Sequence, residues 1–224
     1  MILHLRYSLM AKPGTTALKP RKQPRQARSQ ATVDAIFEAT IQVLLAEGPQ
    51  RLTTIRVAER AGVSVGTLYQ YYPNKQALLF GVLQRHMQRV DEVIGRAIAS
   101  VQHTPLATMV PAVIEVLVRE KTSRIDESRA LYAIVNQLEA RELVRSAESR
   151  ARTRLSALLE TATDARFDDI GVVAYIFFAA LNGPLRVALE GGASPKILHA
   201  LRSQMESLCL GYLEREARPL AAKR

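Results

Sequence analysis

The chain has 224 residues, 48% of them hydrophobic, enough to bury the core of one large domain or of a small domain joined to a larger one, which excludes disorder throughout. Its single cysteine, Cys209, rules out an intramolecular disulfide and reads as an inert core thiol in a reducing compartment. The net charge of +10 is uneven: residues 1 to 75 carry 11 Lys/Arg against 4 Asp/Glu, and residues 76 to 224 carry 20 against 17, a footprint expected for a polyanion, nucleic acid or acidic membrane.

His4 and Arg6 break the apolar opening stretch, and no small-residue cleavage site follows, so a cytoplasmic location is expected, with Met10 an equal candidate for the start. No apolar run reaches the roughly 18 residues of a membrane span. The longest, Ile170 to Leu181, is interrupted by Gly171 and ends at Asn182-Gly183-Pro184, and reads as a buried helix.

Residues 1 to 28 read as a flexible basic arm, with Pro13, Gly14, Pro20 and Pro24 set among Lys12, Lys19, Arg21, Lys22, Arg25 and Arg28. Arg25 and Arg28, directly before the first helix, are candidates for DNA contact. From Ser29 onward Val33, Ile36, Phe37, Thr40, Val43 and Leu44 keep helical spacing until Gly48-Pro49. Later segments keep that period and none alternates as a strand does. Breaks fall near Gly62, Pro73, Pro105, Gly191-Gly192 and Pro195, which predicts an all-α chain of about nine helices.

Residues 53 to 75 carry the strongest local signal. Thr53 suits an N-cap, Val57, Ala58 and Ala61 form a narrow apolar stripe, Gly62 supplies a left-handed turn and Val63 an apolar pin, and Ser64 caps a second helix two residues later. A helix, a glycine turn and a short helix describe a helix-turn-helix, whose second helix lies in the DNA major groove. In that second helix, Val65 to Tyr72, Leu68 and Tyr72 are expected to face inward, leaving Thr67, Tyr69, Gln70 and Tyr71 for phosphates and base edges. Asn74-Lys75 opens the next helix. A lysine there opposes the positive end of the helix dipole unless an anion binds, so a phosphate clamp is expected.

Gly62-Val63-Ser64 followed by Gly66-Thr67-Leu68-Tyr69-Gln70-Tyr71-Tyr72-Pro73-Asn74-Lys75-Gln76-Ala77-Leu78 resembles the signature of the TetR family of bacterial transcriptional regulators, over about residues 30 to 80. The resemblance implies phosphate contacts at Thr53, Thr67, Tyr69, Tyr71 and Lys75 and an approach to base edges at Val65, Gly66 and Gln70. Thr54 joins this DNA-contacting set. Ile55 departs from the family, which often has a basic or polar residue there; an isoleucine can instead meet a thymine methyl.

Residues 29 to 79 are thus expected to form the DNA-binding domain and residues 80 to 217 the rest, with a short tail at 218 to 224. The resemblance implies that this larger part binds a ligand and dimerises through its last two long helices, Asp168 to Glu190 and Pro195 to Glu216. The expected interface residues are Val172, Tyr175, Ile176, Ala179, Leu198, Leu201, Met205, Leu208 and Tyr212. A pocket is expected among Met109, Val113, Tyr132, Asn136, Gln137, Phe177 and Phe178.

No P-loop, G-x-S-x-G, G-x-G-x-x-G or H-E-x-x-H motif is present, and the four histidines lack metal-ligand spacing, so neither an enzyme nor a bound metal or cofactor is expected. The expectation is a homodimeric repressor of a pseudo-palindromic operator, released by a small molecule. The alternatives are a DNA-binding regulator without a ligand, as constitutive repressor or activator, and a basic helical RNA-binding protein.

Overall fold

The computed structural model describes residues 27–135 and 140–219. The basic arm up to residue 26, with Arg25, and Asn136 and Gln137 lie outside the described residues, as does the side chain of Arg28. Among the described residues the chain is all-α with nine helices, as the periodicity predicts.

Helix α1 (Ala27–Arg51) buries the six positions picked out by its helical spacing, from Val33 to Leu44. Even Thr40 is enclosed, its hydroxyl donating to the Ile36 carbonyl at 2.6 Å. The expected break at Gly48 is a kink (φ 76°, ψ 169°), which only a residue without Cβ adopts readily, and Pro49 then starts a last turn closed by Leu52 N donating to Gly48 O at 3.2 Å. Helices α2 (Thr54–Ala61) and α3 (Val65–Tyr71) follow, then α4 (Lys75–Ser100), about 39 Å long at 1.5 Å per residue.

The remainder comprises α5 (Leu106–Thr122), α6 (Ile125–Val135), α7 (Arg141–Glu160), α8 (Ile170–Gly191) and α9 (Pro195–Glu216). Two breaks that lie wholly within the described residues carry no glycine or proline. Ser123 and Arg124 separate α5 from α6, and the α7 end is fixed by tertiary bonds: Asp164 Oδ1 accepts from Leu106 N at 2.9 Å, and Thr161 Oγ1 accepts from His103 N at 3.2 Å. One feature has no periodic signal: β1 (Ala165–Arg166) pairs antiparallel with β2 (Arg218–Pro219), Ala165 opposite Pro219.

Helix α8 continues through Asn182-Gly183-Pro184 instead of ending there, and so exceeds the bound set by its apolar run. By length and composition it could cross a membrane, with a mean hydropathy of 1.7 in its most apolar window. It nevertheless supplies Val173, Phe177, Leu181 and Leu185 to the core between α7 and α9, with 39% of that window buried.

Two apolar clusters result. One joins α1, α2, α3 and the first half of α4 with Leu131 and Ile134 of α6; the other joins the end of α4 with α5, α7, α8 and α9. Helices α4 and α6 thus connect the helix-turn-helix to the larger helical body. Between them a polar cluster is buried, with Glu127 and His86 2% and 4% exposed. His86 Nδ1 stands 3.4 Å from Glu127 Oε1, and Arg124 Nε stands 2.7 Å from Glu127 Oε2.

Candidate nucleic-acid interface

The turn between α2 and α3 is held by its own backbone. Thr53 Oγ1 accepts from Arg56 N at 3.3 Å, capping α2. Gly62 takes φ 66°, and Val63 N reaches back to Ala58 O at 3.0 Å, satisfying a carbonyl at the helix end. Ser64 Oγ then accepts from Thr67 N at 3.0 Å and lies 2.8 Å from Thr67 Oγ1, so one serine caps α3 and fixes the first hydroxyl on its surface.

Seven residues of helix leave a small repertoire of faces. Leu68 is fully buried, Tyr69 (40% exposed) and Gln70 look outward, and Thr67 is half-buried. Tyr71 overturns its predicted exposure: at 6% it is buried with Tyr72, because residues three and four places after Leu68 share its side of the helix. Thr54 is buried too, its Oγ1 3.0 Å from the Tyr69 hydroxyl, so it steers a surface group without being one. Thr53, Gly66 and Ile55 are exposed and Val65 is half-buried against the α1–α3 core.

Lys75 begins α4 behind the Asn74 cap, as its sequence position predicts, and Nζ donates to the Gln50 carbonyl at 3.4 Å. That carbonyl lies in the last turn of α1 and offsets part of the unfavourable lysine–dipole contact. Arg51, the next residue in α1, is exposed and adds a basic side chain beside this point; no motif marks it. Arg56 and Arg60 are engaged elsewhere, Arg56 in an ion pair with Glu47 and Arg60 Nε donating to Gln42 Oε1 at 2.7 Å.

Away from this surface, a cavity of about 180 Å³ lies among α4, α5, α6, α7 and α8. Of the residues expected at a pocket, Val113, Tyr132 and Phe178 line it. Met109 and Phe177 do not: each is 1% exposed in the core, one helical turn before the lining residues Val113 and Leu181. Its lining is mainly aliphatic, with Lys121, Glu148, Asn182 and the ion pair of Arg154 Nη1 with Asp91 Oδ1 (2.6 Å) as polar groups.

On α8, Val172, Tyr175, Ile176 and Ala179 form an exposed face that Val187 extends, and on α9 Ile197 and Leu208 are exposed. Leu198 and Tyr212 are partly buried. Leu201 and Met205 correct the prediction, since with Cys209 and Leu213 they form the inward stripe of α9, at four-residue spacing. Burial raises the Cys209 thiol to about 11, in keeping with an inert core residue.

Residues 36–82 match the family described as "Bacterial regulatory proteins, tetR family", and residues 105–213 match the "Tetracyclin repressor-like, C-terminal domain". The HTH-type transcriptional repressor KstR of Mycolicibacterium smegmatis is 42% identical over 62 residues, which cover 28% of this chain and 30% of KstR. The match thus spans less than a third of that relative's length. Among solved structures, a TetR-family transcriptional regulator from Streptomyces coelicolor superposes with a TM-score of 0.62 at 20% identity, over 84% of this chain and 98% of that one. A SmeT–triclosan complex superposes with a TM-score of 0.66 at 20% identity, over 87% and 98%. At such identity these structures speak for the fold, and the matched family descriptions cover both the helix-turn-helix and the helical body: the chain belongs to the TetR family of bacterial regulatory proteins.

Proposed function

We propose that the protein is a homodimeric transcriptional repressor that binds a pseudo-palindromic operator and is released by a small molecule, acting in the cytoplasm. The observation that carries this reading is α3: a short helix fixed by Gly62 and Ser64 that turns Tyr69 and Gln70 outward beside Thr53, with Lys75 at the next helix start. Exposed hydroxyls, an amide and a lysine suit phosphate and base-edge bonds. In this reading residues 29 to 79 form the DNA-binding unit, Thr53, Thr67, Tyr69 and Lys75 hold phosphates, and Gln70 reads bases across the open approach at Gly66.

Dimerisation is supported by the apolar face of α8 and α9, where Val172, Tyr175 and Val187 are each more than half exposed. Ligand release is supported by the cavity among α4 to α8 and by the solved complex of SmeT with triclosan. A ligand favouring another spacing of the recognition helices would take them out of register with half-sites about 34 Å apart, and operator and ligand would weaken each other equally. The test is fluorescence anisotropy with duplex DNA from the region upstream of the protein's own gene, a scrambled duplex and single-stranded RNA, at several salt concentrations. About a thousandfold preference for the upstream duplex is expected; equal, steeply salt-dependent binding to all three would refute the reading.

A further inference from the structure

The cavity holds a charge that forms no ion pair among the described residues. Lys121 enters it from the last turn of α5, and its ammonium lies 5.5 Å from the centre of the Tyr132 ring. Among the described residues no carboxylate comes within the 4.0 Å of an ion pair. The other charged groups of the lining differ. Arg154 and Asp91 neutralise one another, and Glu148, on α7, makes no ion pair with Lys121. Burial first, and then the charge of Arg89, push the Lys121 ammonium down to about 8, with Glu120 opposing. A half-buried lysine without a counter-ion carries part of the cost of desolvation, and a ligand anion would relieve that cost.

We propose that this cavity takes a monocarboxylate with an apolar body of about six to eight carbon atoms, its carboxylate on Lys121 Nζ and its hydrocarbon among Ile94, Val113, Leu117 and Phe178. The size follows from the volume: an apolar protein cavity of about 150 Å³ holds benzene, and this one has about 180 Å³. The sign follows from Lys121, and the amphiphilic character from the aliphatic walls around it. The proposal rests on reading the cavity as the effector site of the repressor.

The test is isothermal calorimetry on the full-length protein without DNA, titrated with sodium octanoate, 1-octanol and octylammonium. Octanoate is expected to bind at least about tenfold tighter than octanol, the gain from one charge-assisted hydrogen bond in a partly desolvated site, and octylammonium weakest. Lys121→Met should erase the preference for octanoate and keep octanol affinity within about twofold, while Lys121→Arg should retain the preference. Thermal melts of both variants establish that they fold.

The preference should also shrink by about tenfold from about pH 7 to pH 9, as Lys121 loses its proton. The charged and titratable groups facing it are His86 and Arg89 of α4, Glu120 of α5 and Tyr132 of α6, with Glu148 and Arg154 of α7 across the cavity. Equal binding of octanoate and octanol, no binding of any probe, or a preference that survives Lys121→Met would each overturn the proposal. Because calorimetry contains no DNA, its failure leaves operator binding intact. Octanoate binding by a protein that ignores the upstream duplex would instead sink the repressor reading alone.

Discussion

The ring of Tyr72 occupies the space where a side chain at position 81 would begin: a Cβ on Gly81 would stand 2.6 Å from Tyr72 Cε1. Tyr72 ends the recognition helix and Gly81 lies in the second turn of α4, so this contact sets how closely α3 approaches the helix that leads to the rest of the protein. The tyrosine is 7% exposed and has no open side to swing into. Gly81→Ala should therefore destabilise the protein by about 1–2 kcal/mol, since overpacking by about 1–3 kcal/mol outweighs a helix-propensity gain of up to about 1 kcal/mol. The check is a thermal melt, where Gly81→Ala combined with Tyr72→Leu should lose less than the sum of the two single changes.

Thr54 and Tyr69 offer a second, independent handle, because their hydroxyls meet at 3.0 Å between the first turn of α2 and the outer face of α3. Thr54→Val and Tyr69→Phe should each lower stability by about 0.5–1.5 kcal/mol. In duplex affinity Thr54→Val should cost a few-fold, through a less well-held phenol. A double-mutant cycle read by anisotropy would reveal the coupling. Strict additivity would mean that Thr54 does not orient Tyr69.

Lys75 and Gln70 should fail in different ways. Lys75→Ala is expected to weaken all duplexes alike and to reduce the slope of log affinity against log salt by about one, as for a phosphate contact. Gln70→Ala should alter the ranking of operator variants and leave the salt slope in place. A Lys75→Ala protein with unchanged affinity would remove the clamp from the interface, and a uniform loss across sequences in Gln70→Ala would make that residue a phosphate ligand.

The buried pair of His86 and Glu127 makes stability depend on pH in a defined direction. Burial holds the His86 imidazolium below its ordinary value, against the pull of Glu127. Burial alone would raise the Glu127 carboxyl, but the neighbouring His86 and the charges of Arg124 and Arg89 bring it below its ordinary value. In both cases the unfolded chain binds more protons, so stability rises with pH. The His86 contribution is present above its ordinary 6.5 and lost as pH falls below it; that of Glu127 is present above 4.5 and lost below. Melting temperatures recorded from about pH 8 down to about pH 3 should therefore decline in two stages, and His86→Gln should remove the upper one. An unchanged upper stage in that variant would place the titrating group elsewhere.

What the sequence makes readable is mostly local. The caps at Thr53 and Ser64, the left-handed Gly62 and the start of α4 at Lys75 depend on bonds within a few residues, and each stands where spacing predicts it. The misjudged residues are those settled by distant partners. Tyr71 has an apolar ring and a polar end like its neighbour Tyr72, which is expected inward, and packing against the α1–α4 core turns Tyr71 inward as well. In α9 two apolar stripes coexist, one through Leu201 and Met205 and another through Ile197 and Leu208, and composition cannot tell which faces the chain's own core. Thr54 looks like a surface hydroxyl until α3 is laid against α2. Gly81 gives no warning at all, because its need for space arises from a ring nine residues earlier in the chain. Lys121 is similarly silent, its environment being assembled by four other helices.

The short ladder between Ala165–Arg166 and Arg218–Pro219 joins the strand before α8 to the segment after α9, and Arg218 adds an ion pair to Asp168 across the same junction. At their far ends the two helices are joined by the tight turn at Gly192, a left-handed residue at φ 69°. The pair is therefore buckled at both extremities, like a belt with a clasp opposite its fold. Lengthwise slippage of one helix past the other would have to break the ladder, so the two helices are constrained to move as one unit.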